Sequence, residues 1–225
     1  MQKIYTGKTK DVFLQGDGSV LLRFKDTVTG VGNTIDSGAN EVIGEVTGKG
    51  RSSFRLTLHF FELFRKAGIP THFISAGPDA NTVIARLARS FRLEVICRMK
   101  AWGSFVRRYG NYVSEGEPLP SLVEFTLKDD ERGDPLITED ALVALNIVSR
   151  EAIDYMRVTA RQATSLIAGH LSERGLELID IKYEFGEVDG QTMIIDEVSG
   201  DSMRVACNGR ILLQTELEEA LLGKA

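Results

Sequence analysis

The chain has 225 residues, of which 43% are hydrophobic and 26% charged, with a net charge of -5. That is the balance of a soluble globular protein, large enough for one domain or for two small ones around a shared cleft. Bulk charge gives no reason to expect a nucleic-acid partner, and no apolar run approaches the ~20 residues of a membrane span. Cys97 and Cys207 form neither a metal-ligand pattern nor a disulfide framework, which suits a reducing cytoplasm. The chain opens directly on Met1-Gln2-Lys3-Ile4-Tyr5, with no signal peptide expected, and it carries no repeat or low-complexity segment.

In chain order, residues 2–6, 10–15 and 19–25 read as short strands, the last two joined by the turn Gly16-Asp17-Gly18. Residues 27–50 hold six glycines and little periodicity, so they read as a long loop. Ser52 or Ser53 is a candidate cap for a helix reaching about Ala67, with Phe54, Leu58, Phe61 and Phe64 at helical spacing and Gly68 and Pro70 as its stop. A strand over 71–75 leads into a stretch without clear pattern to Arg92, then a clear strand over 93–100. Residues 102–109 read as a short helix, 121–127 as a strand and 128–135 as a polar loop. Thr138 caps a short helix. Ser149 caps a long one to about Arg174, whose inner stripe is Ile153, Met156, Ala160, Ala163, Ile167 and Leu171. Two strands around Asp189-Gly190 and a helix over 216–222 close the chain. Strands dominate the front and helices the middle, which favours an α+β fold over a doubly wound sheet. A soft boundary near residue 77 divides a smaller N-terminal part, 1–77, from a larger one, 78–225.

The chemistry concentrates in the charged segments. Asp180, Lys182 and Glu184 alternate with Ile181, Tyr183 and Phe185, putting three charges on one strand face. Such a face is poor core material and suits a surface that holds a cation and a phosphate. Glu184 and Asp196 lie on facing strands. To share a face directly opposite one another they need an odd hairpin loop, such as Asp189-Gly190-Gln191, or a bulge. Two carboxylates that close repel unless a cation lies between them, and Mg²⁺ held by carboxylates and nucleotide phosphates meets that need; a surface hairpin neutralised by Lys182 is the alternative. Gly7-Lys8-Thr9-Lys10 is either a cradle for a polyphosphate or a solvated turn, and it lacks the Walker spacing. Gly48-Lys49-Gly50-Arg51 precedes a helix, where anions bind, or is a flexible basic loop. Arg98 and Ser104 are placed to converge on a phosphate monoester; Arg107 and Arg108 read as surface charges. His59, His72 and His170 are scattered and read as structural or surface residues.

Taken together, Tyr5-Thr6-Gly7-Lys8-Thr9-Lys10, Gly68-Ile69-Pro70-Thr71-His72, Glu94-Val95-Ile96-Cys97-Arg98, Gly103-Ser104, the 128–135 segment, 180–186 and Asp196-Glu197-Val198-Ser199 resemble the SAICAR synthetase family nearly end to end. The resemblance implies an ATP-grasp-like fold of two α+β subdomains with the cleft between them. It also implies ATP-dependent ligation of L-aspartate to the carboxylate of carboxyaminoimidazole ribonucleotide through an acyl phosphate, and often a homodimer. By the same resemblance Lys8, Thr9, Lys10 and Lys128 bind ATP, Glu184 and Asp196 hold nucleotide and Mg²⁺, and Arg98, Ser104, Lys182 and Arg204 bind the ribonucleotide. Lys10, Asp134, Asp180 and Lys182 form the implied catalytic set. Departures are Ser199-Gly200-Asp201, Arg204-Val205-Ala206-Cys207, and Trp102, a bulky residue expected to narrow the substrate pocket. Trp102 and the Arg204 neighbourhood motivate one alternative, a paralogous ligase on another substrate; a second, a nucleotide-binding regulator without turnover, is opposed by the retained Lys8, Lys10, Glu184 and Asp196.

Overall fold

The computed structural model describes residues 1–223. An antiparallel sheet in the order β1-β2-β3-β8-β7 opens the chain, built from β1 (Gln2–Thr6), β2 (Lys10–Leu14), β3 (Ser19–Phe24), β7 (Phe73–Ala76) and β8 (Thr82–Arg86). It therefore runs on to Arg86, past the residue-77 boundary read from sequence. A larger antiparallel sheet has the order β10-β9-β11-β13-β14, with β12 paired to the far end of β11. Its strands are β9 (Arg89–Lys100), β10 (Pro118–Leu127), β11 (Leu176–Val188), β12 (Gln191–Ile195), β13 (Met203–Cys207) and β14 (Arg210–Ile211). The helices are α1 (Lys49–Lys66), α2 (Ser104–Tyr109), α3 (Glu139–Ala144), α4 (Arg150–Ser172) and α5 (Gln214–Leu222).

Residues 27–50 correct the loop reading. They contain a third sheet of β4 (Thr27–Val31), β5 (Thr34–Ile35) and β6 (Glu41–Glu45), in the order β5-β4-β6. Only β4 buries side chains, so no run of alternating apolar residues marks the sheet. The start of α1 also differs. Gly48, not Ser52 or Ser53, is its N-cap, and the carboxylate of Asp26 accepts from Gly48 N and Gly50 N at 3.1 and 2.8 Å. The anion at this helix N-terminus is thus the protein's own. Ser52 and Ser53 are buried in the first turn and donate to the Gln214 carbonyl and to Asp201.

The long helix follows its sequence pattern. Ser149 Oγ accepts from Ala152 N at 3.2 Å, and all six stripe residues are fully buried. That stripe and Leu56, Phe60, Phe61 and Phe64 of α1 share one core with Leu93, Val95, Ile181, Tyr183 and Phe185. Along β9, and along β11 past the irregularity between Leu178 and Asp180, the core-facing residues are the odd-numbered ones, which turns Glu94, Arg98, Asp180, Lys182 and Glu184 to the opposite side. That opposite side is the floor of a cleft roofed by the first and third sheets. Residues 70–72 tie roof to floor: Thr71 forms a parallel bridge with Ile194, and His72 N donates to the Ile194 carbonyl at 3.0 Å.

Candidate active site

Strand register builds the cleft floor. Across β9, β11 and β13, Arg98, Asp180 and Arg204 are direct partners, and two residues along β11 past Lys182, Glu184 sits opposite Glu94. The first row places one carboxylate between two guanidiniums. Arg98 Nη1 donates to Asp180 Oδ2 at 2.9 Å, and Arg204 Nη1 reaches both Asp180 oxygens at 2.8 and 3.0 Å. Arg98 is only 1% exposed; its other nitrogens donate to Glu124 at 2.6 Å and to Ser104 Oγ at 3.0 Å. Arg204 also donates to Asp36 at 2.7 Å, and although burial disfavours its charge, Asp180 and Asp36 raise its pKa further. Arg204 passes so close to the Gly38 backbone that a Cβ there would meet its Nη2 at 2.0 Å.

The second row juxtaposes Glu184 with Glu94, a repulsive pair unless each has a cation. Lys182 Nζ donates to Glu94 at 2.7 Å and Lys128 Nζ to Glu184. Burial and the charge of Asp196 push the Glu184 pKa up. Burial works against Asp196 too, but Lys10 and Lys128 outweigh it and hold Asp196 low. Lys10 Nζ lies 2.9 Å from Asp196 Oδ2 and also pairs with Glu197.

The hairpin reaches this arrangement by a different route from the odd loop expected. Asp189 and Gly190 form a two-residue turn, both with positive φ, so Val188 pairs with Gln191 and Glu184 with Ile195. In that register a strand-like Asp196 would not face Glu184. Asp196 instead follows the last strand residue with φ of +73°, a left-handed conformation that redirects its side chain into the cleft. His72 holds it there: its buried Nε2 donates to the Asp196 carbonyl at 3.0 Å.

The remaining candidates converge from the roof. Lys8 Nζ bonds Asn40 at 2.9 Å and Asp130 at 2.7 Å, and Asn40 donates to Asp134 at 2.5 Å. Thr9 lines the cleft beside Lys8 and Lys10. The polar 128–135 segment, which includes a short 3-10 turn at Asp130–Arg132, is thereby part of the cleft wall. Arg107 and Arg108, read as surface charges, line it as well. Trp102 is half-buried and lines no part of it, so the expected narrowing of the pocket does not occur.

Sequence reasoning missed Glu94, Glu124, Glu197, Asp36, Asn40 and the role of His72. Glu94, Ile96 and Arg98 continue the period-two pattern of β9, a signal available beforehand. Asp36 and Asn40 lie in the segment taken for a loop and carried none.

Three contiguous cavities make up the cleft. One of about 780 Å³ has an apolar wall of Val12, Val20, Leu22 and Leu87, and reaches Lys10, Lys128, Glu184 and Asp196. A small middle one holds those four charged groups. The third, of about 420 Å³, shares Lys182, Asn40 and Glu94 with the middle one and contains Arg98, Ser104 and Arg204. An apolar slot leading through lysines and carboxylates to a guanidinium-lined chamber suits a nucleotide-dependent group-transfer enzyme.

Residues 3–212 match the family model described as SAICAR synthetase. A phosphoribosylaminoimidazole-succinocarboxamide synthase of Clostridium tetani is 46% identical over 99% of this chain and all of its own length. One from Thermotoga petrophila is 39% identical over 92% of this chain and 86% of its own. Among solved structures, a SAICAR synthetase in complex with ADP matches with a TM-score of 0.87 at 28% identity, covering 98% of this chain and 97% of that one. A SAICAR synthetase of Pyrococcus horikoshii gives 0.84 at 27%, over 96% and 98%. The chain belongs to the SAICAR synthetase family, ligases that join aspartate to a ribonucleotide in purine biosynthesis.

Proposed function

We propose that the three cavities hold, in order, the base of ATP, its phosphates and the ribonucleotide acceptor. The observation that carries this reading is their continuity: Lys10, Lys128, Glu184 and Asp196 border the apolar slot on one side, and Lys182 borders the acceptor chamber on the other. The terminal phosphoryl group passes from ATP to the carboxylate of carboxyaminoimidazole ribonucleotide, releasing ADP. The amine of L-aspartate then attacks the acyl phosphate, loses a proton, and expels phosphate to leave SAICAR. Phosphoryl transfer of this kind needs positioning and charge neutralisation more than a strong base. Lys8, Thr9 and Lys10 grip the phosphates from the roof and Lys128 from the wall. Lys182 neutralises the carboxylate under attack; its charge is secure, because burial opposes it but Glu94 and Glu184 raise its pKa. Arg98, Ser104 and Arg204 receive the 5′-phosphate, with Asp180 fixing both guanidiniums and Asp134 fixing Asn40.

Glu184 and Asp196 are hard oxygen donors, and the charge of Asp196 still raises the Glu184 pKa despite Lys128 and Lys10, a repulsion that a dication between them would relieve, so they fit Mg²⁺. When bound, the ion would neutralise charge on the nucleotide's terminal phosphates. Among the described residues no helix is long and apolar enough to cross a membrane. A cytoplasmic location and a homodimer belong to the same proposal; sedimentation of the pure protein tests the second.

The deciding assay follows phosphate release from Mg·ATP. Turnover is expected only when both the ribonucleotide and aspartate are present. Turnover supported by another carboxylate or amine but not by this pair defeats the substrate assignment. Nucleotide binding without turnover under any pair defeats the ligase reading.

A further inference from the structure

Away from the cleft, α1 and α4 bring together two imidazoles for which the reaction has no use. His59 Nε2 and His170 Nε2 face each other at 2.8 Å, with ring centroids 4.9 Å apart and planes tilted by 35°. The pair is not sealed in the core: His59 is half-buried and the His170 side chain is 18% exposed. The charged groups around it are Lys66 on α1, and Glu173 and Arg174 just past α4. Burial, reinforced by His170, Arg174 and Lys66, lowers the His59 pKa to about 4, and burial with Arg174 lowers that of His170. Both rings are therefore neutral at neutral pH, one Nε2 donating its N–H to the other, and a shift of that proton to the donor ring's Nδ1 gives each Nε2 a lone pair. Glu173 lies 3.9 Å from Nδ1 of His170. A carboxylate on that side favours a proton on Nδ1 and leaves Nε2, which points at His59, as the donor atom.

We propose that His59 and His170 are a two-point binding site for a transition-metal dication of the Zn²⁺, Ni²⁺ or Cu²⁺ class, clamping α1 to α4 with water completing the coordination. Imidazole nitrogen selects these ions over Mg²⁺, so the site is chemically distinct from the carboxylates of the cleft. Metal–nitrogen bonds of about 2.0–2.1 Å in tetrahedral geometry place two ligand nitrogens roughly 3.3 Å apart. The rings need to part by only about half an ångström, a small rotation for partly exposed side chains. No group of three or more His, Cys, Asp or Glu able to hold a metal occurs among the described residues, so the site has two protein ligands and modest affinity.

The test uses the full chain without a histidine tag, stripped with EDTA. About 100 μM Ni²⁺ or Zn²⁺ should raise the melting temperature by about 3–5 °C, as expected for ~10 μM affinity in a chain of this size. EDTA should reverse the rise, and equal Mg²⁺ should not reproduce it. His59→Gln and His170→Gln, each compared with its own metal-free melt, should lose it. Electron paramagnetic resonance of the Cu²⁺ form should show two imidazole nitrogens in the wild type and fewer in either variant. No rise in the wild type, an equal rise in both variants, or an oxygen-only Cu²⁺ spectrum each overturns the proposal.

Discussion

The two ends of the cleft use different cations to balance buried carboxylates, and the difference is instructive. At the acceptor end, Arg98 and Arg204 hold Asp180 from two sides with planar forks and are themselves held by Glu124, Ser104 and Asp36. At the nucleotide end, Lys10 and Lys128 meet Asp196, Glu197 and Glu184 as single ammonium points on flexible stems. Guanidinium networks fix geometry in advance, whereas ammonium groups move between partners at small cost. On the proposed reading, the arginine end is a preset mould for a phosphorylated substrate. On the same reading, the lysine end exchanges its internal ion pairs for phosphates and a metal ion during each cycle.

If that contrast is right, removing a carboxylate should cost stability at one end and turnover at the other. Asp180→Ala removes the carboxylate that two buried guanidiniums share and should lower unfolding free energy by about 3 kcal/mol, read by urea denaturation. Asp196→Asn should instead lose about 10²–10³ in turnover, with little change in the unfolding midpoint. A large stability loss for Asp196→Asn, with little for Asp180→Ala, would reverse the comparison. Smaller effects probe the supports. His72→Phe removes the donor that holds the left-handed Asp196 and should raise the Mg²⁺ concentration for half-maximal activity about tenfold, the effect of ~1.4 kcal/mol. The ribonucleotide KM should stay unchanged, and His72→Gln should recover part of the loss. Gly38→Ala should push Arg204 aside and raise that KM several-fold while leaving the Mg²⁺ dependence alone. Loss of Mg²⁺ response in the glycine variant would show that the two ends are coupled.

The smallest effect lies outside the cleft. His59 binds a proton near pH 4 in the folded chain but near its ordinary 6.5 when unfolded. Unfolding therefore takes up a proton between those values, and stability should fall as pH drops from 6.5 towards 4. Allowing for solvent screening of a half-exposed pair, the loss is roughly 1 kcal/mol. His59→Gln should flatten that part of the stability profile.

The sequence alone determined the elements whose signals are local. The long helix was legible because its buried stripe has a period of 3.6 and Ser149 caps it. The charged face of β11 was legible because Asp180, Lys182 and Glu184 alternate with residues that must be buried. The third sheet was hidden by its glycines and by burial confined to β4. Only the tertiary structure supplied Asp26 to cap α1, Asp36 to hold Arg204, and His59 to meet His170 across 111 residues of chain. It also decided how Asp196 reaches Glu184, through one left-handed residue after an even turn. Patterning records what a residue's near neighbours require, while ion pairs between distant segments depend on register and strand order, which no short window of sequence contains.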